Sequence, residues 1–328
     1  MNEIDNIIKI IDNSDNFLIT SHENPDCDAL GSTLAFGLGL ASIGKNVDLY
    51  NDNITPEHLK FLPEWQKVIN DINSLKDSYE CIFLLDSADD MRPGIKFHQY
   101  MKTTKYKEKI VIDHHNTNTD DHELVWVDTG SASTGVMIYK ILKSLNINIT
   151  KEISTLIYST IVGDTGSFRY SNTNSESLKI ASELVEFGAE PEFISQAIYE
   201  NEPLNKINLI ARALNTLEID ETNKIASVYI DNDMFAETGT TREDTEGIIN
   251  IPRKINGISV AVLLRQENKG DEKLSRWKVS LRSKYEVDVS AIAQKYGGGG
   301  HVKASGLTIE GDLSKVKEDL IGTIKEVV

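Results

Sequence analysis

Only two cysteines, Cys27 and Cys81, occur in the 328 residues. Two are too few for a disulfide framework and fit a reducing cytoplasm. Long apolar runs are also lacking: a stretch such as Ile82-Phe83-Leu84-Leu85 falls far short of the ~20 residues of a membrane span. The first residues, Met1-Asn2-Glu3-Ile4-Asp5, carry no basic residue and lead into no apolar stretch, so no signal peptide is expected there. Positive charge is scarce. Against 51 Asp and Glu stand 34 Lys and Arg, a net charge of −17. That balance argues against wrapping long nucleic acid, which needs a basic footprint. No internal repeat or low-complexity segment is present.

The basic residues are unevenly spread. Residues 251–303 hold eleven Lys and Arg against five Asp and Glu, a net +6, so the remainder carries −23. Acidic residues that hold metal ions are neutralised in use, and a small anionic substrate could sit between such a site and a basic surface. A solvated surface with chance charge drift accounts for the same numbers.

In the N-terminal half, short apolar strands alternate with helical patterns. Residues 17–20, 47–50, 81–85 and 109–112 read as strands, and 29–43, 133–145 and 152–162 as helices. This alternation predicts an α/β domain with a mostly parallel sheet covered by helices on both sides. Residues 174–217 are mostly helical by pattern, broken near Gly188–Pro191 and at Pro203. Strand-like runs follow at 225–230, 258–264 and 277–281, with a helix before Gly297 and another from Leu313. The expected organisation is a catalytic domain over 1–190, a helical connector over 191–218 and a smaller α/β domain over 219–328.

Five clusters carry chemistry. The first, Ser21-His22-Glu23-Asn24-Pro25-Asp26-Cys27-Asp28-Ala29-Leu30-Gly31-Ser32, follows a strand and opens a helix. Open α/β sheets bind ligands at that place. Asp26 and Asp28 can face two different metals; alternatively, either one caps the helix. The second is Asp86 at a strand end, a ligand or an ordinary turn residue, with Asp89 and Asp90 behind it. The third is Asp113-His114-His115-Asn116-Thr117, where Asp113 could orient a ligating imidazole. The fourth is Gly163-Asp164-Thr165-Gly166-Ser167-Phe168-Arg169-Tyr170, with Asp164 as an oxygen ligand and Arg169 facing phosphate or a surface ion pair.

His22, Asp26, Asp28, Asp86, His114 and Asp164 make an oxygen-rich set without thiolate, which suits Mn²⁺ or Mg²⁺ better than structural zinc. Six ligands exceed what one open catalytic ion needs and fit two ions sharing a carboxylate. The fifth cluster, Tyr296-Gly297-Gly298-Gly299-Gly300-His301, offers backbone N–H groups and a histidine to a phosphate, or is a flexible linker. Upstream, Leu281-Arg282-Ser283 offers a guanidinium.

In this order the clusters closely resemble the DHH phosphoesterase superfamily, over nearly the whole chain. Gly298–His301 with Arg282 looks like its DHHA1 domain, and size and motifs look most like the stand-alone NrnA group of bifunctional oligoribonucleases and pAp phosphatases. The resemblance implies one Mn²⁺ on His22, Asp26 and Asp86, and a second on Asp28, Asp86, His114 and Asp164. Asp86 would bridge, and Mg²⁺ or Co²⁺ could substitute.

Catalytic roles fall to Asp86, Asp113 and His115. His115 would face the scissile phosphate, with Arg282, Ser283, Gly298, Gly299, Gly300 and His301 holding substrate from the second domain. The implied reaction is in-line attack of a bridging hydroxide on short RNA, pAp or linear dinucleotides, with closure of the domains excluding water. Cys27 departs from the family pattern without removing a ligand. Oligomeric state stays open, a homodimer included.

Four rivals resemble parts of this pattern. The nearest is a soluble phosphodiesterase for pApA or c-di-AMP. A family II pyrophosphatase lacks the glycine–histidine element, and a RecJ-like exonuclease is longer and more basic. A non-enzymatic regulator would have lost a metal ligand, and none is missing.

Overall fold

A computed structural model describes residues 3–87, 90–115, 124–222, 224–267 and 275–328. They form two units, Met1–Asn201 and Glu202–Val328.

The first unit is built on strands β1 (Asn16–Ser21), β2 (Asn46–Tyr50), β3 (Val68–Ile69), β4 (Cys81–Leu85), β5 (Glu108–Asp113) and β6 (Leu124–Val127). They lie in the order β3-β2-β1-β4-β5-β6, all parallel. Helices α1 (Glu3–Asp12), α2 (Cys27–Ser42), α3 (Ile95–Met101), α4 (Thr134–Ser144), α5 (Lys151–Asp164), α6 (Ser175–Glu186) and α7 (Pro191–Tyr199) connect and cover them. The unbroken apolar runs have a simple cause: both sheet faces are buried. In β1, Phe17 and Ile19 join the core under α2, α4 and α5, while Leu18 joins a smaller core on the other face. In β4, Cys81, Phe83 and Leu85 take the first face and Ile82 and Leu84 the second.

The strand order reverses direction between β1 and β4. At such a switch point the connecting loops diverge and leave a crevice beyond the C-terminal strand ends. The first three sequence clusters sit there: His22 follows β1, Asp86 follows β4, and Asp113 ends β5.

In the second unit, α8 (Leu204–Asn215), β7 (Glu218–Ile219), β8 (Ile225–Ile230), α9 (Asn232–Thr238) and α10 (Asn250–Arg253) precede β9 (Val260–Gln266) and β10 (Arg276–Ser283). Then come α11 (Val289–Lys295), β11 (Gly299–His301), β12 (Ala304–Glu310) and α12 (Leu313–Lys325). The sheet order is β11-β12-β10-β9-β8-β7, with β8 and β9 parallel and the other neighbours antiparallel. Trp277, Val279 and Leu281 face a core with α11 and α12. Ala261 and Leu263 face a second one with residues of α8 and α9.

The expected connector is divided between the units: α7 belongs to the first and α8 to the second. The glycine run is no linker, since Gly299–His301 pairs with β12. Short elements such as β3, α3 and α10 carry too few residues to show a period. No described helix is long and apolar enough to cross a membrane.

Candidate metal centre

Each side chain of the centre is set by the end of a regular element. Pro25-Asp26 ends the loop after β1, and Asp26 is the N-cap of α2: its Oδ1 accepts from the backbone N–H of Asp28 and Ala29 at 2.9 and 3.0 Å. The same Oδ1 lies 3.9 Å from His22 Nε2. His22 Nδ1 is 2.8 Å from the Glu23 carbonyl, which can only accept, so Nδ1 carries a proton and Nε2 faces the carboxylates. That Nε2 is 3.4 Å from Asp86 Oδ2.

Asp28 is no cap. It is buried one position into α2, where the N-terminus of α4 meets it. The backbone N–H groups of Thr134 and Gly135 donate to its two oxygens at 2.8 and 3.0 Å, and the Ser32 hydroxyl adds a bond at 3.1 Å. The positive end of a helix thus holds a buried carboxylate.

Asp86 is also buried, and its backbone is left-handed (φ 52). An aspartate tolerates that region better than most residues, at a cost of roughly 1–2 kcal/mol. It accepts from Thr134 Oγ1 at 3.2 Å and lies 3.3 Å from His115 Nδ1 and 3.7 Å from His114 Nε2.

His114 reaches Asp164 Oδ2 at 3.0 Å and Asp28 Oδ2 at 3.6 Å, with Nδ1 3.3 Å from the Ser131 carbonyl. Its buried Nε2 is the atom that faces these carboxylates, 3.0 Å from Asp164 Oδ2 but not aligned with it as a hydrogen bond. His115 is half-exposed and anchored by Nδ1 to Asp113 Oδ1 at 2.8 Å, while Asp113 also accepts its backbone N–H at 3.0 Å. Asp113 therefore orients His115 rather than His114.

The donor atoms form three groups, each within 4.8 Å: His22–Asp26–Asp86, Asp28–His114–Asp164 and Asp86–His114–His115. Burial, then Asp164 and Asp86, push the Asp28 carboxyl well up, and burial raises Asp164 as well. Asp86 goes the other way: burial opposes its charge, but hydrogen bonds from His115 and His22 hold it well below the carboxylate range. For His114, burial works against the proton, yet Asp164, Asp28 and Asp86 raise it to about 9. Asp113 and Asp86 push His115 up to about 10, against burial. Four carboxylates cannot crowd here ionised unless positive charge joins them. Buried carboxylates and imidazoles converging within 4.8 Å make an oxygen-rich donor set that fits divalent cations.

Elsewhere, Asp90 pairs with Lys109 at 2.9 Å, whereas Asp89, Asn116 and Thr117 lie outside the described residues. Arg169 bonds the Gly166 carbonyl and stacks 5.9 Å over the Tyr199 ring. In the second unit, Arg282 and the exposed His301 share a sheet face, because Ala304 stands opposite both. Ser283 points to the other face, buried, its hydroxyl committed to the Val287 carbonyl at 2.7 Å. At Gly298 a Cβ would lie 2.3 Å from the Gly306 carbonyl, and at Gly300 (φ 140) 2.6 Å from that of Ala304. Close pairing with β12 requires both. Sequence reasoning missed Thr134 and Asn51, whose side-chain amide donates to the His22 carbonyl at 2.9 Å. Neither lies in a motif of its own.

The DHH family N-terminal domain model matches residues 16–161, and the DHHA1 domain model residues 222–328. The bifunctional oligoribonuclease and PAP phosphatase NrnA of Thermus thermophilus is 31% identical over 94% of this chain and 89% of its own. That of Bacillus subtilis is 30% identical over 92% of each. An exopolyphosphatase-related protein from Bacteroides fragilis superposes with a TM-score of 0.90 at 25% identity, over 99% of this chain and 96% of its own. With both domains in order and such identity over nearly its whole length, the chain belongs to the DHH/DHHA1 phosphoesterases.

Proposed function

We propose that this phosphoesterase uses two divalent cations, Mn²⁺ by preference, to hydrolyse short oligoribonucleotides to mononucleotides and pAp to AMP. The observation that carries the reading is the pair of donor groups, His22–Asp26–Asp86 and Asp28–His114–Asp164; the 3.7 Å between Asp86 and His114 supports Asp86 as the shared ligand. The substrates come from the NrnA relatives, whose names state both activities.

His22, Asp26 and Asp86 would hold one ion; Asp28, Asp86, His114 and Asp164 the other. Bound ions of this kind acidify water and neutralise phosphate charge. The chain's own groups do the rest. The Glu23 and Ser131 carbonyls fix the tautomers of His22 and His114. The α4 N-terminus holds Asp28, and Thr134 steers Asp86. Asp113 locks His115 by Nδ1, leaving the half-exposed ring edge for the phosphate. Arg282 and His301 supply phosphate contacts from the second unit, with the backbone of Gly298–Gly300. The two buried, unpaired cysteines suit a reducing cytoplasm.

The test is a Mn²⁺-dependent hydrolysis panel of pAp, pApA, c-di-AMP, five-nucleotide RNA and pyrophosphate. Fastest turnover of pAp and the short RNA is expected. Preference for c-di-AMP or pApA would move the protein to cyclic-dinucleotide turnover, and preference for pyrophosphate would refute nucleotide specificity.

A further inference from the structure

Just after Asp164 the backbone enters the left-handed region three times running, at Gly166 (φ 55), Ser167 (φ 59) and Phe168 (φ 61). Glycine takes this conformation freely. Serine and phenylalanine do so only at a cost, and such a run persists only where neighbouring groups impose it. Here they do. The Ser167 N–H donates to the Val162 carbonyl at 2.8 Å, and the Arg169 N–H to the Thr165 carbonyl at 2.9 Å. The Phe168 N–H donates to the hydroxyl of the buried Thr165 at 2.9 Å, and the Phe168 ring packs on Tyr158 of α5, centroids 6.3 Å apart.

The turn reverses the chain at the end of α5 and brings Asn172 back to it. The Asn172 side-chain amide donates to the Ala132 carbonyl at 3.0 Å and to the Asp164 carbonyl at 3.2 Å. Carbonyls can only accept, so the amide nitrogen lies between them and each of its hydrogens has a partner. Its Oδ1 is buried with no hydrogen-bond partner among the described residues, so this amide acts through its two donors.

Those donors join the parts of one donor group. The segment around Ala132 fixes two of its members: the Ser131 carbonyl lies 3.3 Å from His114 Nδ1, and the N–H groups of Thr134 and Gly135 hold Asp28. The third member, Asp164, is the last residue of α5. Helix ends fray, and their last carbonyls have no partner within the helix. Asn172 bonds one of these carbonyls and ties it to the segment that anchors the other two members.

We propose that Asn172 is a positioning residue: by clamping the Asp164 end of α5 to residues 131–135, it sets where Asp164 stands relative to Asp28 and His114. The inference deepens the two-ion reading and rests on it.

Calorimetric titration of the full chain with Mn²⁺, without substrate, reads the donor group apart from turnover. Asn172→Leu keeps the size and removes both donors. It should raise one of the two Mn²⁺ Kd values about tenfold to a hundredfold, the scale on which groups behind a ligand act. The Mn²⁺ concentration for half-maximal hydrolysis of a three-nucleotide RNA should rise with it, while KM for the RNA at saturating Mn²⁺ stays as in wild type. Asn172→Ala should do the same and serves where leucine disturbs folding. The control is Asn174→Ala, which removes the N-cap of α6 and a bond to the Gly130 carbonyl but leaves Asp164 untouched. It should lower Tm and leave both Kd values in place. Unchanged Mn²⁺ affinity in Asn172→Leu and Asn172→Ala would overturn the proposal, and so would an equal loss in Asn174→Ala. A wild type that binds a single Mn²⁺ refutes the two-ion reading instead, and the same comparison on that ion then decides for or against the clamp. A wild type that binds none refutes both.

Discussion

The two units handle charge in opposite ways. In the first, Asp28, Asp86, Asp113 and Asp164 crowd together with three histidines, the first three of them buried. They are held by backbone N–H groups, a helix N-terminus and a hydroxyl. In the second, Arg242 and Arg265 share the one Glu267 carboxylate, and among the described residues no carboxylate pairs with Lys278 or Arg282. A buried cluster of one sign is costly alone and therefore points to a tightly held counter-ion. Half-exposed cations cost little alone and suit a ligand that comes and goes.

The comparison breaks first at Asp86. Asp86→Ala should lower kcat/KM by about a thousandfold or more, the scale of losing a group that acts on transition-state charge. Bound Mn²⁺, measured by elemental analysis, should fall from two per chain toward none while the circular dichroism spectrum persists. Near-normal activity with two ions retained would sink the shared-carboxylate arrangement.

Chelation sharpens the same contrast. EDTA should abolish hydrolysis, and Mn²⁺ should restore it better than Ca²⁺, whose longer bonds and looser geometry suit in-line chemistry poorly. Persistent turnover after exhaustive chelation contradicts the metal reading.

On the other unit, Arg282→Ala and His301→Ala should each cost roughly 1.5–3 kcal/mol in kcat/KM, with metal content untouched. Loss of Mn²⁺ in either variant would blur the division of labour between the units.

The smallest effect belongs to Thr134. Thr134→Val removes the hydroxyl that meets Asp86 at 3.2 Å but keeps the shape and the backbone N–H on Asp28. A fall of about tenfold to a hundredfold in kcat, with rescue by Thr134→Ser, is expected for a group that orients a ligand. Unchanged kcat in Thr134→Val would show that the strand end alone positions Asp86.

The fold was legible where patterns were long. The unbroken apolar runs at β1, β4 and β5 and the helical spacing of α4 and α5 read correctly as strands and helices of a parallel sheet. The run Ile4, Ile7, Ile11 has helical spacing and forms α1, yet the N-terminus was read only for its lack of a leader. In the site, His22, Asp26 and Asp28 lie within one turn and announced themselves. Thr134 did not: it is one of many threonines, and its role depends on where α4 points. The family resemblance counts Ser283 with Arg282 as a substrate contact, but neighbours in a strand face opposite ways, and Ser283 is buried on the other face.

The residue types and their local order determined the chemistry on their own: imidazoles and carboxylates at strand and helix ends, without thiolate, select hard divalent cations. Tertiary structure decided which of them lie together. Residues 22, 86, 114 and 164 are far apart in the chain, and no local spacing relates them. Neighbouring strands run about 4.8 Å apart, so the order β1-β4-β5 brings the three strand ends together, and packing of α5 brings in Asp164. Likewise, composition showed that residues 251–303 are basic, but only the pairing of β9 with β10 sets Arg265 opposite Lys278, with Glu267 held by Arg265.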